Sequence, residues 1–237
     1  MLLTDGVAMV TVALPSRTSW DEFYNEILDW QQGEHVTLLG HTGSGKTTLA
    51  RHLIQKRSHK LIFATKPRDP NIDVFKRDGF HLTRNWPVDP RIKRNVIFWP
   101  KVERPSDISL QGDAISRCLQ SVYRTGGWCL YFDEVRYISD TLGLRPLLEV
   151  IWLQGRALKL SVLAGTQRPA WIPREAYSEA THLFLWRSTN RYDLKRLEDA
   201  SNVDTKELSP ILRNLPKHDV LYVNTRDGSM IRTRVGA

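Results

Sequence analysis

The chain has 237 residues and a net charge of +8, with 41% hydrophobic and 25% charged side chains. That balance excludes a disordered or collagen-like chain and fits one large α/β domain with small additions. Two cysteines, Cys118 and Cys129, are too few for a disulfide framework, and no apolar run nears the roughly 18 residues of a spanning helix, so a soluble, cytoplasmic protein with no membrane partner is expected.

Asp5-Gly6 lies between two apolar runs and predicts a hairpin turn. Ser19-Trp20-Asp21-Glu22 then reads as a capping box opening a helix through Gln31, with Phe23, Ile27 and Trp30 on its apolar face. Residues 1–34 therefore read as an N-terminal appendage. From residue 35, strand-like runs (35–39, 60–65, 96–99, 128–132, 160–165, 182–186) alternate with helix-like ones (46–57, 107–123, 147–158, 192–200). This alternation predicts a mainly parallel sheet flanked by helices over residues 35–200. The stretch 66–95, broken by Pro67, Pro70, Pro87 and Pro90, is expected to be the least regular. In the C-terminal extension, 201–237, two strand-like runs (220–225 and 229–234) flank Asp227-Gly228 and predict a β-hairpin.

Charge is unevenly spread. Residues 51–104 carry 14 basic and 5 acidic side chains, against 2 and 6 in residues 1–50 and 18 and 15 in residues 105–237. The excess sits in one stretch, which is either a solvated face or a surface for an anionic polymer such as nucleic acid.

Gly40-His41-Thr42-Gly43-Ser44-Gly45-Lys46-Thr47 satisfies G-x-x-x-x-G-K-[ST] after an apolar strand and at the opening of a helix that continues through Thr48, Leu49 and Ala50. The glycines let successive N–H groups turn toward phosphate oxygens, and the helix N-terminus adds partial positive charge. Lys46 is expected to reach the β and γ phosphates of ATP, and the Thr47 hydroxyl to hold Mg²⁺. Trp128-Cys129-Leu130-Tyr131-Phe132-Asp133-Glu134 is an apolar strand ending in two carboxylates. Asp133 is expected to serve the Mg²⁺ shell and Glu134 to polarise the attacking water. A second apolar strand ends in Thr166-Gln167-Arg168-Pro169, where the neutral amide of Gln167 can bond the γ-phosphate or the water. The seven histidines lack metal-ligand spacing, and the cysteines read as buried thiols.

These three segments together resemble the HerA/FtsK superfamily of DNA-pumping P-loop ATPases, which includes viral genome-packaging ATPases. Thr166-Gln167-Arg168-Pro169 looks like that group's sensor segment, and Lys66-Pro67-Arg68-Asp69-Pro70 looks like a degraded form of its Asp-Pro-Lys-Gly segment. The resemblance implies a RecA-like core and a ring, usually hexameric, around double-stranded DNA. A portal-like or capsid protein is a further candidate partner, and if the chain is viral the expected location is host cytoplasm or virion.

A ring motor needs a cation supplied to its neighbour's γ-phosphate, and Arg156 is the first candidate, with Arg145 and Arg187 behind it. Lys66, Arg68, Lys76, Arg77, Arg91, Lys93, Arg94 and Arg136 are the candidate phosphate contacts to DNA. Trp86 and Trp99 are candidates for base stacking or for the core. Two other functions stay open: an assembly ATPase acting on protein partners, and a small-molecule phosphotransferase with the 66–95 stretch as its lid.

Overall fold

The computed structural model describes residues 13–100, 102–168, 172–201 and 205–236. Nine strands form one sheet in the order β3-β4-β2-β5-β6-β1-β7-β8-β9. The first seven are β1 (His35–Leu39), β2 (Lys60–Phe63), β3 (His81–Thr83), β4 (Asn95–Phe98), β5 (Cys129–Phe132), β6 (Ser161–Thr166) and β7 (Ala180–Trp186). All seven run parallel. β8 (Val220–Asn224) and β9 (Met230–Thr233) are the C-terminal hairpin, which pairs antiparallel onto β7 and so continues the sheet.

The central strands β1, β2, β5 and β6 are buried at every position because both their faces are covered. Leu61, Phe63, Leu130, Phe132, Val162 and Ala164 point to one side. They pack there on α4 (Ile108–Thr125), α5 (Arg145–Gln154), α7 (Arg191–Ser201) and α8 (Thr205–Asn214), with α6 (Glu175–Ser178) beneath. Val36, Leu38, Ile62, Ile97, Tyr131 and Leu163 face the other side. Their cover is α1 (Trp20–Glu22), α2 (Lys46–Ile54) and α3 (Asn71–Arg77). This is the expected helix-flanked, mainly parallel α/β sheet, and both cysteines are buried in it.

Two expectations are corrected. The helix after Ser19 does not reach Gln31. Ser19 caps it as expected, accepting from the Glu22 N–H at 3.2 Å, but after Glu22 the chain widens into a π turn, Phe23–Ile27. The Leu28 N–H bonds to Phe23 O, and Trp30 leaves to stack on the Arg57 guanidinium at 3.8 Å. The 66–95 stretch is more regular than its prolines suggest, holding α3 and β3. Pro70 stands at the helix start, where a missing N–H costs nothing. α6 and α8 are absent from the sequence reading. The Asp5-Gly6 turn lies outside the described residues.

Trp86 packs edge-on against Phe98 and Trp128, and the Trp99 indole donates to Lys66 O at 3.0 Å. Both rings are therefore built into the fold. Among the described residues no helix is long and apolar enough to cross a membrane.

Candidate functional site

In a parallel sheet every strand ends at the same rim, and here β1, β5 and β6 lie side by side in the order β5-β6-β1. The P-loop after β1, the carboxylates after β5 and the Gln167 turn after β6 therefore meet at one place. Gly165 makes that approach possible, since a Cβ there would lie 2.6 Å from Asp133 O.

The loop has the backbone that its glycines allow. Gly43 and Gly45 sit at φ +77° and +110°, and nothing lies within 4 Å of a Cβ built on Gly43, which leaves an open cradle. Lys46 is 9% exposed and folds back to donate to Gly40 O at 2.6 Å and His41 O at 3.1 Å. Burial lowers its pKa, against the pull of Asp133 and Glu134. Ser44 Oγ is buried with no partner among the described residues, as is the Trp186 indole N–H, whose ring lies under Gly40 and Gly45. Thr42, Gly43, Gly45, Lys46, Thr47 and Thr48 line a cavity of about 390 Å³, together with Lys66, Asn71, Asp133, Glu134 and Gln167.

Thr47 Oγ1 donates to Asp133 Oδ1 at 3.0 Å, and the Tyr131 hydroxyl donates to the same oxygen at 2.8 Å. A hydroxyl and a carboxylate so close form a hard-oxygen pair that suits Mg²⁺, and the open Gly43 cradle with an orphaned Ser44 hydroxyl suits a polyphosphate. The residues present fit both groups. The two neighbouring carboxylates are pushed in opposite directions. Burial raises the pKa of Asp133, but hydrogen bonds from Tyr131 and Thr47 and the charge of Lys66 outweigh it and hold the group below the usual range. Burial also raises that of Glu134, and there Lys46 and a bond from Thr166 Oγ1 at 3.4 Å do not offset it. Adjacent acids split in this way suit two roles, a permanent anion and a proton acceptor.

Gln167 sits where three cavities meet. Besides the phosphate cavity it lines one of about 320 Å³ with Gly40, His41, Trp186, Arg187, Asn190 and Asp193. It also lines one of about 590 Å³ with Glu134, Arg136, Tyr137, Thr166 and Arg168. Arg136 thus lines a cavity with Glu134, and Arg187 borders the P-loop in its own chain. Arg145 is tied to Asp140 at 2.7 Å. Pro169 lies outside the described residues.

Arg156 is elsewhere. It shares a cavity of about 360 Å³ with Gly33, Glu34, His35 and Trp152, at the start of β1, whereas the P-loop is at its end. Five strand residues, about 17 Å, separate it from its own phosphate site. The basic candidates are likewise divided. Lys66 and Arg68 follow β2 at the phosphate rim, and Lys66 lies 3.1 Å from Asp133. Lys76 and Arg77 end α3, Lys76 pairing with Asp73. Arg91, paired with Asp89, and Lys93 and Arg94 precede β4 at the opposite rim. What these candidates share is the β3-β4-β2 side of the sheet; other basic residues of the stretch lie elsewhere, Lys56 over Tyr24 and Arg57 over Trp30.

A parallel sheet with a P-loop after one strand and a split Asp-Glu pair two strands away defines the class of P-loop NTPases. No protein-family model matches the chain. The chain is 25% identical over 179 residues to the DNA packaging ATPase P9 of Enterobacteria phage PRD1, across 74% of this chain and 73% of that one. The fold is similar to the genome packaging NTPase B204 of Sulfolobus turreted icosahedral virus 2 in complex with AMPPCP (TM-score 0.59, 14% identity, 84% of this chain and 96% of that one). It is also similar to VirB4 of Thermoanaerobacter pseudethanolicus (TM-score 0.62, 12% identity, 86% and 89%). The resemblance read from the three motifs is borne out by these relatives.

Proposed function

We propose that the chain is an ATP-hydrolysing motor subunit that moves double-stranded DNA during packaging of a viral genome. The observation that carries this reading is the convergence of Lys46, Thr47, Asp133, Glu134 and Gln167 on one cavity, and the 25% identical relative, a DNA packaging ATPase, supports its direction. Lys46 leaves the P-loop carbonyls for the β and γ phosphates, and the backbone N–H groups around Gly43 and Gly45 hold the remaining oxygens. Thr47 and Asp133 would hold Mg²⁺, which supplies charge neutralisation on the phosphoryl oxygens. Glu134, with its raised proton affinity, takes the proton of the attacking water. Gln167 orients that water or the γ-phosphate, placed as it is between the catalytic cavity and the P-loop.

Arg156 cannot serve its own nucleotide across the length of β1. Its place on the opposite rim suits a cation given to a neighbouring subunit in a ring. Arg68, Lys76, Arg77, Arg91, Lys93 and Arg94, all on the β3-β4-β2 flank, contact DNA phosphates, which requires no base recognition. Native mass measurement in Mg²⁺-ATP tests the ring, with a closed oligomer, hexameric by resemblance, as the expected species. DNA affinity that falls steeply between low and physiological salt is the expected result for the flank. No DNA affinity at low salt would exclude the DNA motor and favour an assembly ATPase.

A further inference from the structure

Lys66 belongs by sequence to the basic stretch, yet its ammonium enters the phosphate cavity. β2 is hydrogen-bonded to β5, so the chain leaving β2 emerges beside the end of β5, and Lys66 Nζ comes to rest 3.1 Å from Asp133 Oδ2. The other oxygen, Oδ1, already accepts from Thr47 and Tyr131. The backbone here is fixed: the Trp99 indole donates to Lys66 O at 3.0 Å, and Gln111 Nε2 donates to Thr65 O at 3.1 Å and Pro100 O at 2.9 Å. The side chain is half exposed and carries four methylenes from that fixed point, so it can swing while its Cα stays in place. Asn71, the first residue of α3, borders the same cavity, and Asp78 just beyond the helix is clamped by a two-pronged bond to Arg51 of α2.

A divalent cation held by Thr47 and Asp133 and an ammonium on Asp133 cannot share that carboxylate without strong repulsion. The ammonium must move when the metal arrives, and the anionic group within the cavity's compass is the polyphosphate. We propose that Lys66 is a γ-phosphate-sensing cation, which neutralises Asp133 before nucleotide binds and transfers to the terminal phosphate of a bound Mg²⁺-triphosphate. This rests on the reading of the P-loop cavity as an ATP site. A diphosphate offers the ammonium no γ-phosphate, so Lys66 separates ATP from ADP in a way that Lys46 does not.

The test is calorimetric binding of ADP and of a non-hydrolysable ATP analogue to the full chain in Mg²⁺, for the parent and for K66A, K66Q and K66R, with a melting curve for each. K66A and K66Q are expected to weaken the analogue about tenfold or more, as for loss of a charged hydrogen bond, with ADP affinity held within about twofold. K66R, which keeps the charge, is expected to recover most of the loss. Manganese titration of the ADP complex is expected to give tighter metal binding in K66A, because Asp133 has lost its competing cation. Equal weakening of both nucleotides, or no change in either, overturns the proposal. K46A serves as the control: if it binds both nucleotides like the parent, the ATP-site reading fails and the role of Lys66 with it, whereas loss of both nucleotides in K46A with neither changed in K66A overturns the role of Lys66 alone.

Discussion

Lys46 and Glu134 line the same cavity, and the proposed reaction gives them different work that substitution separates. Lys46→Ala removes the P-loop cation that the proposed reaction moves to the β and γ phosphates, and nucleotide affinity should drop by at least about two orders of magnitude in a fluorescent-nucleotide titration. Glu134→Gln keeps shape and hydrogen bonding while removing the proton acceptor. It should bind ATP normally and lose about 10²–10⁴-fold in turnover. Because burial lifts Glu134 above the ordinary carboxylate range, the acid limb of the ATPase pH profile should fall at a higher pH than an exposed glutamate would give. Asp133, held low by its donors, stays ionised throughout that range and adds no second limb there.

At the scale of elements, the strand ends and the chain's turns decide the site, and Glu34 shows how they are fixed at the far rim. Its carboxylate, 4% exposed, accepts from His182 Nε2 at 2.9 Å, from the Gln31 N–H at 2.9 Å and from Arg226. Burial opposes its charge, but these partners prevail and take its pKa from 4.5 down to about 2. The folded value lies below the unfolded one, so the stabilisation is complete above about pH 4.5 and is lost as pH falls toward 2. E34Q should therefore lower stability by about 3 kcal/mol near neutral pH in urea unfolding, with the difference shrinking through that acid window.

The same elements explain what the sequence made legible. The apolar runs of β1, β5 and β6 and the P-loop glycines are local signals, so the sheet, the phosphate cradle and the Asp133-Glu134 pair could be read directly. The π turn after Glu22 could not, because it depends on Trp30 finding Arg57 across the fold. Nor could the place of Lys66. Composition grouped it with the basic stretch, whereas the pairing of β2 with β5 carries it to Asp133. α3 was hidden by prolines that turn out to flank its start.

For the whole molecule, the charge pattern and the position of Arg156 make one consistent arrangement. The phosphate site occupies one rim, Arg156 the other, and the basic flank the β3-β4-β2 edge. In the proposed ring, a subunit's Arg156 rim would meet its neighbour's nucleotide. R156A should then leave ATP affinity intact and reduce turnover about 10³-fold or more, and mixing it with a Lys46→Ala chain should restore part of the activity through hybrid interfaces. The central claim is that this cavity hydrolyses ATP to drive movement on DNA, and ATP turnover of the parent and E134Q with and without double-stranded DNA tests it most directly. Turnover that double-stranded DNA stimulates and that E134Q abolishes is the predicted result; turnover indifferent to DNA, or undiminished in E134Q, would contradict it.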